Sequence, residues 1–251
     1  MNRACVCLAL LLATFLLSGC QAMSGYWKDT KRFYGTYINP PASLDLENTG
    51  TYRSEEARLA YSFTEVDYQL FALERAFEAS LMPPTDEWVT QILQRFPWLS
   101  GVAAFSDTGV ILGQTPPTPM KSLNFTPLLE APKGRNRMAL RAYAQDTPLG
   151  PEIYLALPIY AGNEFKGILA THFDPRSVLR FSPVPDDLII TTPDLLLCPG
   201  RYGSENAVVN ADWKKLLSSD YYGSVGRSPD DFYWVVRYFA NLPMIFAVPN
   251  N

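Results

Sequence analysis

The chain holds one histidine, His172, two residues before Asp174, a spacing that puts both side chains on one face of an extended strand. Imidazole changes charge at roughly pH 5 to 8, so His172 can bind an anion or exchange a proton, unless a neighbour merely satisfies it. Arg141 carries the planar donor fork that holds a carboxylate through two parallel hydrogen bonds. Its plainer readings are a solvent-facing arginine or a structural pair with Asp146. Tyr143, Tyr154 and Tyr160 can stack on a ligand and donate hydroxyl hydrogen bonds, or fill a core.

No catalytic constellation accompanies them. The motifs H-E-x-x-H, G-x-S-x-G, G-x-x-x-x-G-K-[ST] and G-x-G-x-x-G are absent, which removes zincin, serine-hydrolase, P-loop and dinucleotide readings. A lone histidine cannot make a two-histidine metal site, and no serine nucleophile is indicated beside His172 and Asp174. Asp186-Asp187 and Asp230-Asp231 read as turn acids. No catalytic residue, metal ligand or cofactor is assigned, and the chain is not read as an enzyme. The 251 residues are 47% hydrophobic and 18% charged, a folded composition, and the net charge of −4 supplies no basic field for nucleic acid. With 21 prolines, 15 glycines and 13% aromatics, many short elements are expected rather than a helical bundle.

The elements that must position these residues are legible from periodicity. Leu59, Phe63, Val66, Leu70, Leu73, Phe77 and Leu81 recur at spacings of 4, 3, 4, 3, 4 and 4, one face of a helix. Ser54 caps it, Glu55 and Glu56 lie in its first turn, and Pro83-Pro84 stops it, for roughly 28 residues and ~40 Å. A second helix starts at Thr85 or Asp86, turns Trp88, Val89, Ile92, Leu93 and Phe96 inward, and ends at Pro97.

The period then becomes two. Strands are expected over Val102–Ser106 and Val110–Thr115 around Asp107-Thr108-Gly109, then over Met138–Ala144, Glu152–Tyr160 and Phe165–Phe173. Thr126-Pro127 and Asp174-Pro175 each open a short helix. A weaker version of the same order follows: Leu188–Thr191, Leu195–Cys198, a helix capped by Asn210, Gly223–Gly226, Phe232–Ala240 and Met244–Val248, with a turn at Asn241-Leu242-Pro243. Ser182-Pro183-Val184-Pro185 reads as the linker between the two. The fold class is α+β: a long N-terminal helix bracing a five-stranded antiparallel sheet, followed by a second, smaller sheet unit.

Alternation sorts each strand of the first sheet. Ile153, Leu155, Leu157 and Ile159 form an aliphatic back suited to the long helix, leaving Tyr154, Ala156, Pro158 and Tyr160 in front. Met138, Leu140 and Ala142 oppose Arg137, Ala139, Arg141 and Tyr143. Gly167, Leu169, Thr171 and Phe173 oppose Lys166, Ile168, Ala170 and His172. The front set would line one concavity with aromatic walls and a few polar groups, so the expected ligand-binding residues are Arg141, Tyr143, Tyr154, Tyr160 and His172.

The stretch from Gly101 to Gly109 with Ile111-Leu112, and the stretch from Leu157-Pro158-Ile159-Tyr160 through Gly167 to Asp174, resemble the double Cache sensor domains, extracytoplasmic PAS-like modules of bacterial receptors. The long helix before two sheet units is similar to them as well. This resemblance implies small-molecule sensing through a partner. Two departures matter. Amino-acid-binding members carry an Arg-x-Trp-Tyr clamp before the third strand, where this chain reads Lys133-Gly134-Arg135-Asn136-Arg137-Met138. Matching on Gly167 puts His172 where those members tend to have the aspartate that meets a ligand amine, which favours an anionic or neutral organic ligand here.

The N-terminus resembles a bacterial lipoprotein signal. Arg3 precedes an apolar run from Ala4 to Leu17, too short to span a membrane comfortably, and the run ends in Leu17-Ser18-Gly19-Cys20, similar to the lipobox. By that resemblance residues 1–19 are removed, Cys20 is lipidated, and Gln21 after it favours the outer membrane. The domains expected are the signal peptide 1–19, a lipidated tether 20–53, a Cache-like unit with the long helix 54–181, and a second unit 182–251. Of four cysteines only Cys20 and Cys198 then remain, and Cys198, in an apolar run, reads as a buried inert thiol. Tyr26, Trp27, Phe33, Tyr34 and Tyr37 are too many aromatics for a solvated tether. The leading expectation is a lipid-anchored binding domain at the periplasmic face of the outer membrane that acts through an envelope or receptor protein, without nucleic acid. The alternative is a scaffold lipoprotein whose sheet front is filled by its own side chains.

Overall fold

A computed structural model describes residues 55–80, 85–130 and 138–250. The signal peptide, Cys20, the tether, Ser54, Leu81, Pro83-Pro84, the 131–137 stretch and Arg137 within it lie outside the described residues. Helix α1 is Glu55–Glu78, 24 residues, with the acidic first turn that the helix dipole favours and Arg75 in its last. Leu59, Phe63, Val66, Leu70, Leu73 and Phe77 are all buried, as their spacing predicts. The regular helix ends earlier than expected. Ser80 N donates to Phe77 O in a tightened last turn, ahead of two prolines that cannot extend the ladder. Helix α2, Asp86–Arg95, begins at Thr85, whose hydroxyl accepts from Trp88 N, and buries Ile92.

The first sheet contains β1 (Gly101–Ser106), β2 (Ile111–Thr115), β3 (Arg141–Gln145), β4 (Glu152–Ala161) and β5 (Glu164–Phe173) in the order β2-β1-β5-β4-β3. Short α3 (Thr126–Leu129) lies between β2 and β3 in the chain, and α4 (Pro175–Leu179) follows β5 with Asp174 as its cap. The second sheet contains β6 (Ile189–Thr191), β7 (Leu196–Cys198), β8 (Tyr222–Arg227), β9 (Asp230–Phe239) and β10 (Leu242–Pro249), ordered β7-β6-β10-β9-β8. Every pairing is antiparallel. Counted within its own half, each sheet has the same strand order, and α5 (Trp213–Leu216) occupies the place in the second that α3 holds in the first.

Three local expectations change. Asp212, not Asn210, caps α5: its carboxylate accepts from Lys215 N, whereas Asn210 bonds back to Asn206 O. The β9–β10 turn is Ala240-Asn241, with Ala240 at φ 51, so Leu242 and Pro243 already belong to the strand. β3 starts at Arg141 rather than Met138, because Asn241 Oδ1 reaches across to accept from Ala142 N at 2.7 Å and fixes the strand there. That bond also ties the hairpin of the second sheet to the first.

One apolar layer lies behind both sheets and continues past the expected linker, with Val178 before it and Leu188 after it in the same cluster. Phe63 of α1 stacks on Phe246 at 5.2 Å, Trp98 meets Phe173 edge-on at 4.8 Å, and Phe173 meets Phe239 at 5.9 Å. Each fully buried side chain of this size contributes about 1.5–3 kcal/mol, so the helix is held chiefly by this layer. Cys198 is buried in it, and that burial pushes its thiol up to about 12, with Asp174 adding to the shift. No described helix is long and apolar enough to cross a membrane.

Candidate functional site

The sorting of the first sheet follows the alternation. Ile153, Leu155, Leu169 and Phe173 face the layer behind, while Tyr154, Ala156, Ile168 and Ala170 face the front with Ala103, Phe105, Phe125 and Leu128. Register places two parallel rows across that front. Tyr143, Tyr154, His172 and Gly101 are successive partners on β3, β4, β5 and β1. Arg141, Ala156, Ala170 and Ala103 form the next row, in which three methyl groups leave a low floor beside the guanidinium.

The ring row is closely packed. Tyr143 stacks on Tyr154 at 6.0 Å and Tyr154 lies 6.1 Å from the His172 ring. Phe125, presented by the turn that opens α3, covers them: its ring is 4.4 Å from Phe105, 5.1 Å from Tyr154 and 6.2 Å from His172. Tyr154 is fully buried and its hydroxyl donates to Gln145 Oε1 at 2.7 Å. Burial pushes that phenol up to about 12, Glu152 and Tyr143 adding to the shift against a hydrogen bond from the Asn124 backbone. Gly101 is required beside His172, since a Cβ there would stand 2.8 Å from Nε2 and 2.7 Å from Thr115 O.

A chain of charges runs from the buried end of this row. His172 Nδ1 lies 2.6 Å from Glu152 Oε1, and with a carboxylate as partner Nδ1 is the donor. Glu152 is fully buried, and its other oxygen is 2.8 Å from Lys121 Nζ, an ionic contact rather than a well-aligned hydrogen bond. The same ammonium donates to Asp174 Oδ2 at 2.8 Å and to Pro151 O at 2.7 Å. Asp174 accepts from Arg176 N and from the Arg176 guanidinium while capping α4. Burial alone would raise the Asp174 carboxyl, but the hydrogen bonds from Arg176 and Lys121 together outweigh it and hold it at about 2.

The other end of the front is differently built. Arg141 Nη1 donates to the Glu130 carbonyl, not to Asp146, which is exposed beyond the end of β3. Arg141 Nε and Nη2 are shielded from solvent and have no hydrogen-bond partner among the described residues. Burial draws the guanidinium down from its ordinary value, with Tyr160 and Glu130 opposing. A bulge at Ile159/Tyr160 shifts Tyr160 to pair with Phe165, whose ring lies 5.5 Å away.

The structure therefore brings Tyr143, Tyr154 and His172 into one row with Arg141 beside it, and sets Tyr160 further along β4 near the guanidinium. Cys20 lies outside the described residues. Sequence reasoning missed Glu152, Lys121, Phe125 and Gln145. Glu152 and Gln145 were findable, each standing two residues from a front-face tyrosine on its own strand. Lys121 and Phe125 come from an irregular proline-rich segment in which no period points anywhere.

No family model matches the sequence, and no curated protein matches it. Solved structures do. The extracellular domain of a protein described as a histidine kinase, vpHK1S-Z8, is 12% identical with a TM-score of 0.50, over 76% of this chain and 88% of that one. A domain of a sensory box/GGDEF family protein from Vibrio parahaemolyticus is 12% identical with a TM-score of 0.50, over 77% and 94%. An extracellular ligand binding receptor from Desulfohalobium retbaense is 13% identical with a TM-score of 0.47, and this chain spans only 37% of its length. At such identities the likeness shows the fold: α+β, a helix followed by two five-stranded sheets, consistent with Cache/PAS-like sensor domains.

Proposed function

We propose that this chain is an extracytoplasmic small-molecule-binding domain of the sensor type, held by lipid on Cys20 to the periplasmic face of the outer membrane and acting through a partner protein. The observation that carries the reading is the Arg141 fork, whose Nε and Nη2 are shielded and have no hydrogen-bond partner among the described residues, on a row shared with Ala156, Ala170 and Ala103. An unmet buried donor costs about 1–3 kcal/mol, and a carboxylate satisfies two at once. The ligand is accordingly an organic molecule with an anionic group, flanked by Tyr143 and Tyr160. The solved structures of like fold, an extracellular domain of a protein described as a histidine kinase and a domain of a sensory box/GGDEF family protein, accord with a sensor-type role. Binding acts by differential affinity: a ligand favours one arrangement of the sheet and α1, and the partner reads it.

The test is thermal unfolding of the mature chain against a panel of small organic acids. A ligand at 100 times its dissociation constant adds about 2.7 kcal/mol, and Arg141→Ala removes that gain while leaving the unliganded midpoint nearly unchanged. Retention of binding by Arg141→Ala would remove the fork from the site. Intact mass of the membrane-extracted protein checks the anchor, and a mature start anywhere but Cys20 defeats it. A second reading rests on a specific observation of its own. Phe125 and Leu128 already fill the front above Tyr154, as an interaction scaffold without a ligand would have them. A panel without any stabilising compound selects the scaffold.

A further inference from the structure

The three acceptors around Lys121 Nζ form a small oxygen cage. Glu152 Oε2, Asp174 Oδ2 and Pro151 O lie within 2.8 Å of it, and Glu152 has no exposed surface at all. The ammonium donates to Pro151 O and Asp174 Oδ2 and faces Glu152 Oε2 as a charge, so all three oxygens suit a small cation with N–H groups. The carboxylates are not free to serve another cation as they stand. Glu152 is held by His172 through its first oxygen, and Asp174 is held by Arg176 and by its cap on α4. Lys121 itself comes from a segment with little else to fix it. Residues 115–118, 120 and 122 are exposed, Met120 almost completely, whereas the Lys121 side chain is only 11% exposed. Four residues on stands Phe125, the ring that covers Tyr154 and His172.

We infer that Lys121 is a tethered ammonium filling an ammonium-shaped cage, and that by occupying it the chain excludes amine groups of external molecules from this end of the front face. Lys121 is thus a specificity-determining residue. It leaves Arg141, in the neighbouring row of the front, as the group a ligand meets, so the ligand offers an anionic end and no cationic one. For this consequence the inference rests on the front face being a binding surface. The cage itself does not, and its test uses no anion.

The test uses the full chain and methylammonium chloride as probe, with sodium chloride and tetramethylammonium chloride as controls. Lys121→Ala leaves Glu152 Oε2 and Asp174 Oδ2 without the ammonium they share, and the unfolding midpoint falls by about 10 °C. Methylammonium fits the vacated place and restores at least half of that fall, saturably. Tetramethylammonium, which has no N–H, restores none of it beyond the salt control, and the wild-type midpoint moves no more in methylammonium than in sodium chloride. Adding Asp174→Asn to the variant weakens the rescue. Equal response of wild type and variant to methylammonium, or an unrescued Lys121→Ala, overturns the inference. Should Lys121→Ala not fold, Lys121→Met, which keeps the apolar stem and vacates only the place of the nitrogen, is read with ammonium chloride as probe. An acylation time course on the wild type gives a further reading. Lys121 reacts at least about tenfold more slowly than the exposed Lys214, and comparable rates overturn the proposal.

Discussion

Arg237 on β9 clasps Asp67 of α1 with a forked pair of hydrogen bonds, Nη2 to Oδ2 at 2.9 Å and Nε to Oδ1 at 3.2 Å. Tyr233 OH donates to Glu56 and Ala240 N to Glu74, so three polar links run from the long helix to β9 and the turn after it. The helix is therefore shared, its apolar face against both sheets and its polar links to β9 and the turn after it. Both partners of the fork are about one quarter to one third exposed, which puts the pair near the upper end for a surface bridge. A double-mutant cycle of Asp67→Ala and Arg237→Ala in urea unfolding should give a coupling of about 1 kcal/mol. Zero coupling would show that the apolar face alone seats the helix.

Glu74 provides a pH signature of the same contact. Burial pushes its carboxyl up to about 7, with Glu78 and Asp67 adding to the shift and the Ala240 N–H and Arg237 opposing it. Phe71 and Tyr238 line the same hollow as Glu74. Because the folded value stands above the ordinary 4.5, the folded state holds this proton more tightly. Its contribution to stability is full below 4.5 and is lost as pH rises through about 7. Glu74→Gln should flatten the stability profile across that window while keeping an acceptor for Ala240 N. Asp174 acts in the opposite sense, its contribution present above 3.8 and lost as pH falls toward about 2. Chemical denaturation at a series of pH values reads both, and an unchanged slope in Glu74→Gln would assign the neutral-range titration to another group.

Glycine substitutions separate two kinds of strain. Gly167 has φ +142, and a Cβ there would lie 1.9 Å from Phe105 O, so the β1–β5 pairing could not close around an alanine. Gly162 has φ +61 but open space around it. Gly162→Ala should cost only about 1–2 kcal/mol, the ordinary left-handed penalty. Gly167→Ala should cost several times more, on the order of 4 kcal/mol, by forcing two strands apart. Similar losses for the two would mean that the strands slide to admit the methyl group.

The helix face and the sheet fronts were legible because burial imposes a period: Leu59 to Phe77 repeats as a helix must, and Tyr154 against Leu155 alternates as a half-buried strand must. The same rule put Arg141, Tyr143, Tyr154 and His172 on one side. It could not say what lies on top of them. Lys121 and Phe125 arrive from a segment whose path is set by tertiary contacts, the ammonium by two acids remote in sequence and the ring by a pocket of other rings. The turn at Ala240-Asn241 was misread for a related reason. Pro243 suggests a loop by its own chemistry, yet β10 pairs with β6 only from Ile245 to Ala247, so the missing N–H of Pro243 removes no bond on that side.

Phe125 decides between a front face that opens and one that is simply filled. Its ring contacts Phe105, Tyr154 and His172, and it is buried. As an ordinary core aromatic, Phe125→Ala should lose about 3–5 kcal/mol in urea unfolding and leave an apolar cavity. Such a cavity takes benzene or a similar small aromatic, which should recover part of the loss. As a movable cover its removal exposes Tyr154 to solvent without leaving a sealed void, so the loss falls below about 1.5 kcal/mol and benzene recovers nothing. The first result favours the filled scaffold. The second favours the ligand-binding domain, and in that case Phe125→Ala should also strengthen binding of whichever organic acid Arg141 holds.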